Sequence, residues 1–147
     1  MTHAADMNPP KGFELCPIGY VRSDLKARAD APRQAGEGAP EASLEILPAF
    51  APALDGLQAG QELWLLTWLH EGQRSVLKVH PRGEILNPKL GVFATRSPDR
   101  PNPIGLHRVK VLSMGGSGRT LRVQALEAID GTPILDLKPV LEGPRAA

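Results

Sequence analysis

Short apolar segments separated by glycine- and proline-rich turns run through most of this chain, and they constrain its fold more than any other feature. The chain has 15 glycines and 15 prolines among 147 residues, and both residue types interrupt helices. No long segment repeats its apolar residues at the helical period of about 3.6 residues. Because short strands joined by Gly, Pro and Asp turns are typical of all-β proteins, the pattern predicts a mainly β fold, either a barrel or a sandwich.

The predicted strands each show either alternating polar and apolar residues or a brief apolar run. They cover residues 13–21, 43–47, 62–70, 75–79, 89–95, 104–112, 119–126 and 134–139. Residues 62–70 are apolar enough for a helix to be the alternative, and residues 51–57 have the pattern of one helical turn. Residues 24–42 lack a sustained period, so we expect a long loop that is either functional or mobile.

A chain of this length suits a single domain. The scarcity of helical periods predicts that it has only a few short helices. We place this domain at residues 12–141, after a disordered N-terminal tail at 1–11 and before a C-terminal tail at 142–147. The first residues lack the apolar core of a secretory signal, and no segment has the roughly 18 apolar residues that cross a bilayer. We therefore expect a cytoplasmic location. The single cysteine, Cys16, has apolar neighbours and is predicted to be a small buried side chain.

Composition and motifs exclude several classes of function. A net charge of +1 argues against wrapping nucleic acid by bulk charge, and six aromatic residues are too few for an extended base-stacking platform. The sequence has neither a Rossmann-type glycine motif nor a P-loop. The four histidines lack the close spacing of zinc ligands, so we expect no metal. The one glycine-flanked serine lacks the order of a hydrolase elbow.

The stretch 91–109, GVFATRSPDRPNPIGLHRV, carries the strongest indication of function. Its prolines at 98, 101 and 103 fix their own φ angles and push the preceding residues toward extended geometry. The backbone between the two apolar runs is therefore ordered before any ligand binds. Arg96 and Arg100 on such a frame lose little entropy on binding an anion or a planar group.

Other polar residues are dispersed at the ends of the predicted strands. They are Arg33, Gln34, His70, Glu71, His80, Arg82, Ser97, Asn102, Glu127, Asp130 and Asp136. Several also have a structural interpretation: His70 as a hydrogen-bonded residue at a strand end, Arg100 as a brace for its own loop, Asn102 as a turn residue. Asp136 lies among apolar residues in ILDLKP, where a buried carboxylate needs a partner such as an arginine of the proline loop.

Four separated motifs resemble a known family in their sequence and their order. They are FELCPIGYVRSD with the following APRQAG, then EGQRSVLKVHPRG, then GVFATRSPDRPNPIGL, and finally DGTPILDLKP. Together they resemble the TsaA-like family, also called YaeB-like or TrmO-like. The resemblance covers about residues 13–141, almost the whole chain.

The resemblance implies a β-barrel domain that binds S-adenosylmethionine and usually acts as a dimer. The bacterial members that it resembles methylate N6 of N6-threonylcarbamoyladenosine beside the tRNA anticodon. Carried over by position, the methyl-donor contacts are Pro32, Arg33, Gln34, His70, Glu71, Arg96, Leu106, Gln124, Ala125, Leu126 and Glu127. The catalytic residues stay unassigned.

The residues suit the chemistry of this ligand. Arg33 or Arg96 can meet the donor carboxylate, Glu127 or Asp136 its ammonium group, and Leu106 can cover the adenine. Candidate contacts to the methyl acceptor are Arg82, Arg100, Asn102 and Asp136, with Arg108 as a further cation for an RNA backbone. The sulfonium is an activated donor, so alignment of the acceptor nitrogen is expected to supply most of the rate.

Two alternatives stay open. The sequence ends soon after DLKPVLEGP, where many tRNA-modifying members continue into a further domain. Glu127 also stands where an Asp is expected, and Glu71 stands where the tRNA enzymes tend to have an amide. A methyltransferase with a small-molecule acceptor is therefore one alternative, and a module that binds the donor without turnover is the other.

Overall fold

A computed structural model of the protein describes residues 11–33, 35–81 and 84–142. Residues 1–10 of the predicted N-terminal tail and residues 143–147 of the predicted C-terminal tail lie outside this description. Gln34 and Arg82, both predicted site residues, also lie outside it. No helix in the described ranges has the length and apolarity to span a membrane.

The described part of the chain contains eight strands and five short 3₁₀ helices. The strands are β1 (Gly19–Arg22), β2 (Ala42–Ile46), β3 (Glu62–Trp68), β4 (Lys78–Val79), β5 (Leu90–Gly91), β6 (Ile104–Gly115), β7 (Thr120–Val123) and β8 (Pro133–Pro139). The 3₁₀ helices are Arg28–Asp30, Ala35–Glu37, Pro48–Leu54, Val92–Ala94 and Gly116–Gly118. The predicted mainly β class is confirmed.

Six strands form a closed barrel in the order β1-β2-β7-β6-β3-β8, and β4 and β5 form a separate two-stranded sheet. The barrel pairs are all antiparallel, and β1 completes the ring by pairing with both β2 and β8. Gly19 pairs with Ile46 on one side and Ile134 on the other. A Cβ at residue 19 would meet the backbone of Glu45 and Ile46, so only glycine fits where the ring closes.

The barrel interior is filled by alternate residues of each strand, as the pleat requires. In β6, Gly105, His107, Val109 and Val111 are buried while the intervening residues are exposed. The buried hydrophobic core consists of Val21, Ala42, Leu44, Ile46, Leu54, Leu63, Leu65, Val109, Val111, Leu121, Val123, Leu126, Ala128 and Ile134. His107 and Thr67 are polar residues within this largely apolar interior.

The predicted strands at 75–79 and 89–95 are wrong in extent. Only Lys78–Val79 and Leu90–Gly91 pair, and the apolar run 92–94 is a 3₁₀ helix. Val92 is buried and donates to the Leu77 carbonyl, and the Thr95 N–H then returns to the Val92 carbonyl at 3.0 Å. The chain therefore turns where its apolar composition predicts a continuing strand.

The prediction for Cys16 is also wrong, because its side chain is exposed. Its neighbours Phe13 and Leu15 are 86% and 52% exposed. Pairing with the barrel begins only at Ile18, whose N–H donates to the Ile134 carbonyl at 2.8 Å. An apolar sequence context did not bury Cys16, since this segment precedes the first barrel strand.

Candidate functional site

Two loops meet at one end of the barrel because the strands that lead to them are paired. Trp68, the last residue of β3, pairs with Ile104, the first residue of β6. The segment after β3 and the proline loop, residues 95–103, are therefore adjacent. The Leu69 N–H donates to the Pro103 carbonyl at 2.7 Å. A Cβ at Gly72 would lie 2.8 Å from Pro103 Cβ and closer still to the Pro98 carbonyl, so these loops pack without room for a side chain.

An ion pair joins a third loop, residues 23–41, to the first two. Arg28 donates from Nη1 to Asp99 Oδ1 at 2.8 Å and from Nη2 to Oδ2 at 2.9 Å. Arg28 Nη1 also donates to the Glu71 carbonyl, and the Gln73 N–H donates to Asp99 Oδ1. The hydrogen bonds from Arg28 hold the pKa of Asp99 below its usual value. The loop that carries Pro32 and Arg33 is thus tied to the loops that carry Glu71 and Arg96.

The proline loop is ordered by side-chain bonds to its own backbone. The Ser97 N–H donates to Thr95 Oγ1 and the Asp99 N–H to Ser97 Oγ. The Arg100 guanidinium donates to the carbonyls of Thr95, Ser97 and Val92. Of the two roles expected for Arg100, the structure therefore shows the bracing role.

Asn102 also orders its turn, through an arginine that the sequence did not single out. Arg74 donates from Nε to the Pro101 carbonyl at 2.7 Å and from Nη2 to Asn102 Oδ1 at 2.9 Å. The same guanidinium lies 5.2 Å from the centre of the Trp68 ring, within cation–π range. No short sequence motif predicts these contacts of Arg74, because its partners Pro101 and Asn102 lie 27 and 28 residues further along the chain.

Three predicted donor contacts are open to a ligand at or near this end of the barrel. Arg96, His70 and Leu106 are exposed, and Leu106 exposes 41% of its surface on the outer face of β6. Arg96 forms no hydrogen bond or ion pair with the residues that the structure describes. It is the arginine of the proline loop that is available to an anion, whereas Arg100 is engaged.

The predicted segment 124–127 runs beside β6 from Lys110 toward His107. The Gln124 N–H donates to the Lys110 carbonyl at 3.1 Å. Ala125 has φ of +29°, a left-handed conformation that strains a non-glycine residue. An open cavity of about 330 Å³ lies here, lined by Gly36, Glu62, Arg108, Lys110, Gln124 and Ala125.

The predicted donor contacts therefore form two groups with Leu106 between them. His70, Glu71 and Arg96 lie at the loop end, whereas Gln124 lies beside Lys110, six residues along β6 from Ile104. At about 3.3 Å per residue, Ile104 and Lys110 are about 20 Å apart along β6. Leu126 belongs to the core and its N–H donates to the Pro40 carbonyl, so its side chain and its N–H are both engaged within the protein.

Glu127, the predicted ammonium ligand, contacts a buried histidine. Its Oε1 lies 2.5 Å from His107 Nδ1, and His107 Nε2 lies 2.8 Å from Thr67 Oγ1. Sequence reasoning did not single out His107 or Thr67. The alternation in β6 could have indicated that His107 is buried, because it places residue 107 on the same inward face as Val109 and Val111.

The predicted burial of Asp136 is wrong. Asp136 is exposed, lies 3.6 Å from Lys138 Nζ and accepts from the Leu137 N–H. The pairing of β3 with β8 shifts between Leu66 and Thr67, and Asp136 pairs with Leu66 on the outer face. The apolar neighbours in ILDLKP are thus split between two faces, and no proline-loop arginine contacts this carboxylate within the described residues.

Arg108, a further cation considered from the sequence, is engaged by an acidic side chain and an aromatic ring. Arg108 donates to Glu62 at 2.8 Å and lies over the Trp64 ring. The hydrogen bond from Arg108 lowers the pKa of Glu62.

In the described part of the chain, no group of three or more His, Cys, Asp or Glu residues is placed to hold a metal ion.

The fold and the site define a small mainly β domain in which hydrogen bonds between and within three loops order a loop cluster at one end of the barrel. Residues 20–143 match the family described as the tRNA-methyltransferase O N-terminal domain. The chain belongs to this family, and the resemblance found in the sequence is confirmed.

Several proteins are similar to this chain over most of its length. One from Methanothermobacter thermautotrophicus, named a probable S-adenosyl-L-methionine-binding protein, is 45% identical over 130 residues, which are 88% of this chain and 91% of that protein. VirR of Rhizobium radiobacter, with the same description, is 44% identical over 83% of this chain and 67% of its own length. These names agree with the predicted cofactor.

Solved structures show the same fold. A crystal structure of TrmO from Pseudomonas aeruginosa superposes with a TM-score of 0.67 and 33% identity, over 89% of this chain and 57% of that one. A second TrmO crystal structure gives a TM-score of 0.69 and 38% identity, over 89% and 58%. The chain thus spans a little over half the length of these TrmO structures.

Proposed function

We propose that this protein is an S-adenosylmethionine-dependent methyltransferase that methylates N6 of threonylcarbamoyladenosine next to the tRNA anticodon. The observation that carries the proposal is the joining of three predicted donor loops by Arg28 and Asp99, with Arg96 left exposed beside them. Membership of the TrmO family and the names of the relatives support the donor. A tRNA acceptor would place the reaction in the cytoplasm.

The available side chains fit the chemical groups of the donor. Arg96 offers an unengaged guanidinium for the carboxylate. Glu127 has one carboxylate oxygen on His107, which leaves Oε2 for the ammonium group. Leu106 presents an exposed apolar surface for the adenine.

S-adenosylmethionine supplies a methyl group on a positively charged sulfur. The methyl carbon would pass to the acceptor nitrogen as its bond to sulfur breaks, and the nitrogen would lose its proton. This chain's contribution is to hold the donor and acceptor in line, because alignment supplies most of the acceleration for an activated donor. The proline loop, ordered by Thr95, Ser97 and Arg100, suits this task because it needs little reorganisation on binding.

Calorimetric titration with S-adenosylmethionine tests the donor, and a methylation assay tests the acceptor. The substrate is tRNA from a strain that lacks the methylating enzyme, and mass spectrometry of its nucleosides measures the product. We expect N6-methyl-threonylcarbamoyladenosine to form, and to form more slowly with Arg96→Ala. Absence of donor binding at millimolar ligand would refute the proposal. Donor binding without this product would favour a small-molecule acceptor or a binding module, the latter if no methylated product forms at all.

We also propose that the protein acts as a homodimer through the β4–β5 region. Leu77, Ile85, Leu86 and Phe93 expose 65%, 80%, 100% and 84% of their surfaces there. Such a concentration of large apolar side chains is typical of an interaction surface. Light scattering should give twice the monomer mass, and Leu86→Asp should shift it toward the monomer. Leu47→Asp, at an exposed apolar residue in another region, is the control; a monomeric wild type would contradict the proposal.

A further inference from the structure

A buried chain of three polar side chains connects the segments that the donor site uses. Thr67 comes from the end of β3, His107 follows Leu106 on β6, and Glu127 ends the segment 124–127. The three residues are linked through His107, at 2.8 Å to Thr67 and 2.5 Å to Glu127. The Thr67 and His107 side chains are buried in the barrel interior, at 0% and 5% exposure, whereas the Glu127 side chain is 17% exposed.

The hydrogen-bonding groups determine how the ring is oriented. A carboxylate only accepts, so His107 Nδ1 must carry a proton to bond Glu127. The Thr67 hydroxyl can donate to Nε2 or accept from it, and so it serves either ring state. A Cβ at Gly105 would lie 2.6 Å from Nε2 and even closer to Thr67 Oγ1. Glycine at 105 therefore leaves the space in which the ring and the hydroxyl meet.

This order of groups is also that of a nucleophile, a base and an orienting acid. Burial excludes that function here. Thr67 is 0% exposed in the barrel interior, so a substrate cannot reach its hydroxyl. At the other end of this series of hydrogen-bonded side chains is the Glu127 carboxylate, and this is the group whose position the series controls.

Glu127 retains one oxygen for an outside partner. Oε1 bonds His107, and Oε2 has no hydrogen bond or ion pair within the described residues. No buried side-chain oxygen or nitrogen in those residues lacks a partner, so Oε2 is reachable from outside. A carboxylate held at one oxygen and open at the other is suited to bind a cation in a fixed direction.

We propose that His107, supported by Thr67, is a positioning residue that holds Glu127 so that Oε2 binds the ammonium group of S-adenosylmethionine. The inference rests on the proposed donor function. His107 does not touch the ligand, and it acts by fixing the carboxylate before binding. Without it, the carboxylate must lose its rotational freedom when the ligand arrives.

Two substitutions separate positioning from packing. In His107→Asn, the amide nitrogen can take the place of Nδ1 and still donate to Glu127. In His107→Gln, the longer amide reaches the Nε2 position, keeps Thr67 as partner and leaves Glu127 without its donor. Both ligands in the test contain the same nucleoside: S-adenosylmethionine has the ammonium group, and 5′-methylthioadenosine lacks it.

Calorimetry with the purified protein measures both affinities. We expect His107→Gln to weaken S-adenosylmethionine binding about tenfold, the loss of one hydrogen bond to a charged group. Its affinity for 5′-methylthioadenosine should not change, and His107→Asn should restore most of the lost affinity. Equal affinities of His107→Gln and wild type for S-adenosylmethionine would overturn the inference, and so would equal losses for the two ligands. A wild type that binds no S-adenosylmethionine would instead refute the proposed function.

Nitrogen-15 NMR of the wild-type ring tests the geometry without any substitution. We expect a proton on His107 Nδ1 at about pH 7, protected from exchange by burial. An unprotonated Nδ1 would overturn the inference even if both variants failed to fold. A protonated Nδ1 supports it, because only this state lets the ring donate to Glu127.

Discussion

Replacing Asp99 by Asn tests whether the three loops form one unit. The carboxylate accepts two hydrogen bonds from Arg28 and one from the Gln73 N–H. An amide at this position keeps one oxygen but turns an NH₂ group toward a guanidinium that can only donate. Asp99→Asn therefore removes the charge attraction and one hydrogen bond with little change in volume.

The expected magnitude follows from the exposure of the pair. Hydrogen bonds to charged groups contribute about 1.5–3 kcal/mol, but the Arg28 side chain is 41% exposed and the Asp99 side chain 20%, so solvent screens part of the attraction. We expect a loss of about 1–2 kcal/mol in the free energy of unfolding, or about 3–6 °C in Tm for a domain of this size. The affinity for S-adenosylmethionine should fall about fivefold, because the loop bearing Arg33 must be ordered on binding.

The loss should depend on pH in a defined direction. Arg28 lowers the pKa of folded Asp99 below its unfolded value of about 3.9. A lowered carboxyl pKa stabilises the fold above the unfolded pKa, and this contribution is lost as pH falls through the folded pKa. The difference in stability between wild type and Asp99→Asn should thus be full at about pH 7 and shrink below about pH 4.

Glu45→Gln is the matched control for this experiment. It makes the same chemical change in the Arg22–Glu45 pair, whose side chains are 49% and 51% exposed and lie on paired β1 and β2. Thermal unfolding and calorimetry should show at most about 0.5 kcal/mol of destabilisation and unchanged donor affinity. Equal effects of the two substitutions on both quantities would refute the role given to Asp99.

Three further substitutions test neighbouring parts of the site. Arg96→Ala should weaken S-adenosylmethionine binding by about tenfold or more with an unchanged Tm; an unchanged calorimetric affinity would contradict its assignment. Arg100→Ala should leave donor affinity less affected than stability, with about 1–3 kcal/mol of destabilisation in denaturant unfolding because three carbonyls each lose a hydrogen bond from Arg100; wild-type stability would argue against bracing. Gly105→Ala should cost about 1–3 kcal/mol or more, because its Cβ would collide with Thr67 and His107; an unaltered Tm would be inconsistent with that packing.

The barrel strands could be predicted because their sequence pattern reflects a local property of the backbone. The run IGLHRVKV alternates buried and exposed residues through β6, as a strand with one face in the core must. The apolar run 92–94 misled prediction because composition alone does not show whether a pairing partner is present. Phe93 is 84% exposed on a 3₁₀ helix, in a place where a strand was expected.

The site could be predicted from the sequence only where the residues that indicate it lie together in one segment. The order of the proline loop could be inferred from its prolines, and the structure adds the bonds from Thr95, Ser97 and Arg100. The contacts between loops could not be inferred, since Arg28 and Asp99 are 71 residues apart. The same holds for His107, whose partners are 40 and 20 residues away and are brought to it by strand register.

Chemical-shift mapping of backbone amides during titration with S-adenosylmethionine tests most directly whether the loop end of the barrel binds the methyl donor. We expect saturable shifts at Glu71, Arg96, Leu106 and Glu127, with little change at the opposite hairpin, Gly116–Gly118. Absence of shifts at millimolar ligand, or shifts confined to that hairpin, would contradict this expectation.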